Sequence, residues 1–137
     1  MVKAIKAFFV VLVVFLLMDS LWIHFFVQPL YQAQLGHLLL MQQGKLHVRP
    51  VPAILTYFCL VFAVLYFAVL RQASLGLAVL RGALIGLVCY GTYELTSYAL
   101  FRDWTAWLAL TDIAWGALVC CISAAVAWSV VKPGVTA

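Results

Sequence analysis

The chain alternates between long apolar segments and short polar connections. Four apolar segments are predicted to be membrane-spanning helices, at about 4–27, 51–70, 75–101 and 105–131. A helix rises about 1.5 Å per residue, so about 20 apolar residues cross the hydrocarbon core of a bilayer. Each segment reaches that length. The pattern therefore predicts an all-α integral membrane protein, a four-transmembrane-helix bundle that forms a single domain over residues 1–137.

The segment after the first span differs from the others. Pro29 is expected to end the first helix, and the next stretch, about 30–41, is too short to cross a bilayer. Four apolar residues of this stretch share one arc of a helical wheel: Tyr31, Leu35, Leu38 and Leu39. This pattern predicts a short interfacial helix after the first span, followed by a polar loop.

Composition narrows the class of protein further. Hydrophobic residues make up 68% of the chain and charged residues only 9%, which excludes a separate soluble domain. The formal charge of +4 comes from scattered basic residues that flank the spans, so we expect no nucleic-acid partner. With the N-terminus inside, five basic residues face the cytoplasm and three face outward. The positive-inside rule then predicts that both termini are cytoplasmic. The five inner residues are Lys3, Lys6, Arg71, Arg81 and Lys132, and the outer ones are Lys45, Arg49 and Arg102.

The sequence contains no pattern typical of a metal site or a cofactor site. Its four cysteines lie in apolar segments without Cys-x-x-Cys spacing and are interpreted as packing residues: Cys59, Cys89, Cys120 and Cys121. The Glu-x-x-His spacing of di-metal helix bundles is also absent. We therefore predict no metal and no cofactor.

Three carboxylates lie inside the apolar segments, where an ionised group is costly. Asp19 comes late in the first span, Glu94 late in the third and Asp112 early in the fourth. The predicted topology places all three in the outer half of the bilayer, within about one helical turn of the same depth. Aromatic and hydroxyl residues share their helix faces at spacings of three or four. The predicted ligand- or proton-binding residues are Asp19, Trp22, Tyr90, Glu94, Ser97, Asp112 and Trp115.

Such residues predict an acidic, aromatic pocket that opens outward. Desolvation and mutual repulsion favour the neutral form of an acid, so at least one of the three is expected to be protonated at pH 7. Acids beside Trp and Tyr suit a proton, a cationic amine or a positively charged intermediate held by cation–π contacts. The interfacial helix and its loop are expected to form a lid that brings His37, His47 or Arg49 close. Other aromatic residues fit an interfacial belt: Phe25, Phe26, Tyr31, Trp104 and Trp107.

The same residues carry a family resemblance over nearly the whole chain. The motifs are Asp19-x-x-Trp22, Tyr31, Gly36, Tyr57, Tyr90-Gly91-Thr92-Tyr93-Glu94-Leu95-Thr96, Trp104 and Thr111-Asp112-x-x-Trp115-Gly116. In these motifs the chain resembles the bacterial membrane proteins of domain-of-unknown-function family 2177. That family usually has Asp-Leu-Thr-Asn where this chain has Glu94-Leu95-Thr96-Ser97. The resemblance implies a multi-pass protein of the bacterial inner membrane and brings no established activity.

Three functional hypotheses follow from the site. The favoured one is binding or transport of a cation, a proton or an amphiphile. In the transport form it predicts a homo-oligomer, for which the small residues Ala78, Gly82 and Gly86 offer a contact surface. The second is a membrane-embedded enzyme that uses the carboxylates as acid and base on a lipid or isoprenoid, with Trp22 and Trp115 stabilising positive charge. The third is a structural or accessory subunit in which the carboxylates hold helices together. The sequence leaves enzymatic activity undecided.

Overall fold

Within the described residues, five α-helices and two π-helical turns make up the bundle. The structure is a computed structural model and describes residues 2–43 and 45–132. The α-helices are α1 (Val2–Trp22), α2 (Gln28–Leu35), α3 (Pro50–Ala63), α4 (Leu75–Leu100) and α5 (Ala106–Val131). The π-helical turns are Ile23–Val27 and Val64–Val69.

In the part of the chain that the structure describes, four helical segments are long and apolar enough to cross a membrane. These segments are Val2–Leu35, Pro50–Val69, Leu75–Leu100 and Ala106–Val131. The four-span prediction is confirmed. Successive spans run in opposite directions, so Val2 and Lys132 lie at one end of the bundle, which we call the proximal end. The opposite end, which carries α2 and the connection between α4 and α5, is called the distal end.

The first span is longer than predicted because Pro29 does not end it. The π-helical turn Ile23–Val27 leads directly into α2, and the helix continues to Leu35. In that turn the backbone N–H of Gln28 bonds to the carbonyl of Ile23, five residues back. This wider turn comes just before the proline, whose missing N–H and bulky ring would disturb an α-helical interior.

The segment predicted as an interfacial helix is helical only in its first half. After Leu35 the chain makes turns, and Met41–Gln42 then pairs antiparallel with Lys45–Leu46. A short helix therefore does follow the apolar part of the first span, but it is α2, continuous with that span and ending at Leu35.

Helices α4 and α5 form the closest pair in the bundle. A Cβ placed on Gly86 would lie 2.1 Å from the Gly116 carbonyl oxygen, and one on Gly82 would lie 2.7 Å from the Cys120 oxygen. Gly82 and Gly86 are buried in this intramolecular contact, and Ala78, one turn before Gly82, is buried as well. The small residues proposed as an oligomer surface are therefore already used within one chain.

The proximal end is closed by a short connection between the second and third spans. The Ser74 hydroxyl accepts a bond from the backbone N–H of Leu77 at 3.3 Å and so caps the N-terminus of α4. The indole of Trp128 donates to the carbonyl of Gln72 at 3.0 Å and ties α5 to this connection.

The second span meets its neighbours unevenly along its length. Its proximal part, the turn Val64–Val69, packs against α1, α4 and α5. Its distal part, α3, packs chiefly against α1. The second span therefore closes on α4 at the proximal end and diverges from it at the distal end.

Candidate functional site

The Asp-x-x-Trp motifs of α1 and α5 exchange hydrogen bonds. The indole Nε1–H of Trp22 donates to Asp112 Oδ1 at 2.9 Å, and that of Trp115 donates to Asp19 Oδ1 at 3.2 Å. The exchange is possible because the two helices are antiparallel, so the acid of each motif faces the tryptophan of the other. We call these four residues the Asp–Trp clasp.

The indole rings of the clasp also stack on each other. The centroids of Trp22 and Trp115 are 4.6 Å apart, with 5° between the ring planes. Trp22 stacks on Phe26 as well, at 4.5 Å and 21°. Ring faces stacked in this way are covered by other rings, so Trp22 acts here through its N–H and its aromatic contacts.

The second span also contacts the clasp, through Tyr57 of α3. The Tyr57 hydroxyl donates to Asp19 Oδ2, while Asp19 Oδ1 accepts from Trp115. Each oxygen of Asp19 thus accepts a bond from a different helix. Asp19 is thereby fixed between α3 and α5.

Glu94 is the most deeply buried acid of the site. It has 0% of its surface exposed. Its Oε2 accepts the indole N–H of Trp104 at 2.7 Å, whereas Oε1 is buried and has no donor among the described residues. The carboxyl group of Asp112 lies within hydrogen-bonding reach of Glu94. Two ionised carboxylates lack a proton for such a bond, and a single proton between them would give Oε1 its partner.

Trp104 closes the site from the distal side. It is only 7% exposed and packs with Leu35 and Leu108. The rings of Tyr31 and Tyr93 meet it edge-on, at centroid distances of 5.6 and 5.9 Å. Trp104 therefore belongs to the site, and the prediction that it is a residue of the interfacial belt is wrong. Trp107 is 69% exposed, as a belt residue would be.

The predicted lid is only partly present. Helix α2 lies over the site through Tyr31 and Leu35, which pack against Trp104. His37 instead pairs with Asp103 at the surface, with 3.2 Å between Nε2 and Oδ2. Among the basic side chains that the structure describes, which do not include that of Lys45, none forms an ion pair with any of the three intramembrane acids. Among the described residues, no group of three or more His, Cys, Asp or Glu side chains is arranged to bind a metal ion.

A groove opens at the distal end where α3 diverges from α4. This lateral groove has a volume of about 930 Å³. Its lining is mainly apolar, and its polar residues are Asp19, Thr56, Tyr57, Tyr90, Tyr93 and Asp112. Cys59 of α3 and Cys89 of α4 line opposite walls. The groove is open at the side of the bundle, between α3 and α4.

A second, smaller cavity lies on the other side of Asp112. This distal cavity has a volume of about 110 Å³ and is lined by Trp22, Tyr31, Thr111, Asp112 and apolar side chains. Asp112 lines both the distal cavity and the lateral groove.

The comparisons with known proteins give the family but no activity. Residues 4–129 match the sequence pattern of a family described as predicted membrane protein, DUF2177. The chain belongs to this family. No curated protein and no solved structure matches the chain. As a DUF2177 member it is a membrane protein of unknown function, and its site has to be interpreted from its own geometry.

The seven residues predicted from the sequence lie in one region. Asp19, Trp22, Asp112 and Trp115 form the clasp, and Glu94 contacts it through Asp112. The Tyr90 ring packs on Gly116 beside the groove. A Cβ added to Gly116 would lie only 2.1 Å from Tyr90 Cγ. Ser97 is buried one turn beyond Glu94.

Two donors of the site were not predicted as site residues, namely Trp104 and Tyr57. Both occur in the family motifs, and that was the signal that could have identified them. Tyr57 lies on the second span and Trp104 lies in the connection between α4 and α5, and neither element carries an intramembrane acid. A search for residues three or four positions from an acid on the same helix therefore does not find them.

Proposed function

We propose that this protein binds a cationic amphiphile, with the head group beside Asp19 and Asp112 and the aliphatic chain in the lateral groove. The observation that carries the proposal is the position of two carboxylates at the polar end of an apolar groove that opens sideways. We place the protein in the bacterial inner membrane, with the distal end facing outward.

Charge is the first argument for a cation. Trp22, Trp115 and Tyr57 satisfy oxygens of Asp19 and Asp112 but bring no positive charge. A buried anion without a counter-ion is costly even when hydrogen-bonded. In the part of the chain that the structure describes, no basic side chain pairs with these acids. A cationic ligand would supply the missing charge.

The shape of the groove favours an amphiphile over a small free cation. Its volume of about 930 Å³ lies in the upper range for pockets that hold organic ligands. Moving an aliphatic chain from lipid into an apolar groove gains little hydrophobic free energy, since lipid tails are equally apolar. The groove therefore accommodates the chain, while the carboxylates select the head group.

The aromatic contacts favour binding over catalysis through a carbocation-like intermediate. A tryptophan that stabilises positive charge by a cation–π contact offers its ring face. Here the Trp22 ring stacks on both Phe26 and Trp115. The clasp uses the tryptophans as hydrogen-bond donors to the acids.

Photolabelling in lipid nanodiscs tests the proposal. The probe is a long-chain alkyltrimethylammonium ion with a diazirine in its chain, and the matched alcohol is the uncharged comparison. We expect the ammonium probe to label groove residues around Cys59 and Cys89 several-fold more strongly than the alcohol does. Unlabelled dodecyltrimethylammonium should compete with it.

The variants sharpen the test. Asp112→Asn should remove the preference for the cation, because it replaces a carboxylate of the groove with a neutral amide. Asp103→Asn should leave the labelling unchanged, because Asp103 pairs with His37 outside the groove. Equal labelling by the ammonium probe and the alcohol would overturn the proposal. So would labelling that is insensitive to Asp112→Asn.

A further inference from the structure

Glu94 and Asp112 form an acid pair whose position suggests how the site responds to its ligand. We propose that the cation enters by exchange: it displaces one proton held between Glu94 and Asp112, and that proton leaves to water through the distal cavity. This inference rests on the proposed function, since it assumes that a cation binds at the groove. One O–H bond to the pair is broken, the proton passes to water, and the positive charge of the ligand replaces it.

The first support is the unpartnered oxygen of Glu94. This residue is 0% exposed, and Trp104 satisfies only its Oε2. Its Oε1 is buried without a donor among the described residues, and the neighbouring polar group is the carboxyl of Asp112. A buried acceptor without a partner is costly, and a proton on one of the two acids provides one.

The second support is that no basic group among the described side chains faces the pair. The ionisable groups that face it are Asp19 from α1, Tyr31 from α2, and Tyr90 and Tyr93 from α4, while Tyr57 of α3 bonds to Asp19. All of them are acids or phenols, so none brings a positive charge. A proton and a cationic ligand therefore compete for the same two carboxyl groups.

The third support is that Asp112 is reached from two sides. It lines the lateral groove, where the ligand is proposed to bind, and also the distal cavity. The distal cavity, at about 110 Å³, has room for several waters and offers Asp112, Tyr31 and Thr111 as polar partners. Glu94 lines neither space. Asp112 is thus the member of the pair that can pass the proton to water while the groove is occupied.

The experiment measures proton release on binding. Dodecyltrimethylammonium carries no titratable proton, so it is added to the protein in phosphatidylcholine nanodiscs at pH 7, with a pH-indicator dye in weak buffer. Bound ligand is measured in parallel by calorimetry, and empty nanodiscs provide the blank. We expect about one proton released per cation bound, and an affinity that rises by up to about tenfold per pH unit while the pair is protonated.

The matched variants identify the source of the proton. In Glu94→Gln the amide oxygen accepts from Trp104 and the amide N–H donates to Asp112, so the proton is no longer needed and its release should vanish. Asp103→Asn should release as much as the wild type. Release that persists in Glu94→Gln would overturn the inference.

An infrared measurement on the wild type keeps the test independent of that variant's folding. The carbonyl band of a protonated carboxylic acid should be present at pH 7 without ligand and should decrease when the cation binds. Binding without proton release and without this spectral change would refute the exchange and leave the proposed function standing. Failure of the cation to bind would refute both.

Discussion

Asp19 shows at the scale of one residue how an acid is kept inside this bundle. Its two oxygens accept from Trp115 and Tyr57, on two different helices. That Asp19, Glu94 and Asp112 lie at one level of the bundle could be predicted from their positions along three spans, because helical rise is regular. Their donors could not, because which side chain meets an oxygen depends on the rotation and tilt of each helix. Trp104 illustrates this: it lies in a connection, and only the folded turn aims its indole at Glu94.

Removing one donor of the clasp should destabilise the protein. Trp115→Phe keeps an aromatic ring but deletes the N–H that Asp19 Oδ1 accepts. We expect a loss of about 1–3 kcal/mol in the free energy of unfolding, because an acceptor is left unsatisfied in an apolar setting. Unfolding in mixed micelles measures it. The control is Trp107→Phe, at a 69% exposed residue, for which we expect a change below about 0.5 kcal/mol. Equal losses in both variants would contradict this account of the clasp.

At the scale of the elements, the spans follow from hydropathy while their junctions and contacts do not. The four apolar runs are local and predict the helices directly. The passage through Pro29 depends on the π-helical turn Ile23–Val27, which no simple sequence pattern marks. The ridge Ala78, Gly82 and Gly86 correctly indicates a close helix contact. The sequence does not say which helix makes that contact, and the structure gives α5 of the same chain.

Two glycines of α4 provide a matched test of that contact. Gly86→Ala would put a Cβ 2.1 Å from the Gly116 oxygen, which is backbone and cannot rotate away. The helices must then separate, at a cost of at least about 1–3 kcal/mol. Gly91→Ala has no atom within 4 Å of the new Cβ and should stabilise the helix by up to about 1 kcal/mol. Unfolding in mixed micelles measures both variants. If both variants changed the free energy of unfolding in the same direction, α4 and α5 would be packed less closely than described.

At the scale of the whole molecule, an even number of spans puts Val2 and Lys132 at the same end. The balance of basic residues predicts that this end is cytoplasmic, because loops rich in Lys and Arg are retained on that side. A green fluorescent protein fused after Lys132 should therefore fluoresce, and alkaline phosphatase fused there should be inactive. Phosphatase fused after Arg102 should be active. The opposite pattern would reverse the orientation and place the groove in the inner half of the bilayer.

The Asp–Trp clasp has a consequence for how the protein is made. Asp19 enters the bilayer three spans before Trp115, and one span before Tyr57. During synthesis its carboxyl group therefore lacks both native donors at first, acquires one with the second span and the other only with the fourth. Insertion of the last span also supplies Asp112, the acceptor for Trp22. The clasp is therefore complete only once the fourth span has inserted, and a nascent chain that stalls before this step carries an unsatisfied acid within the membrane.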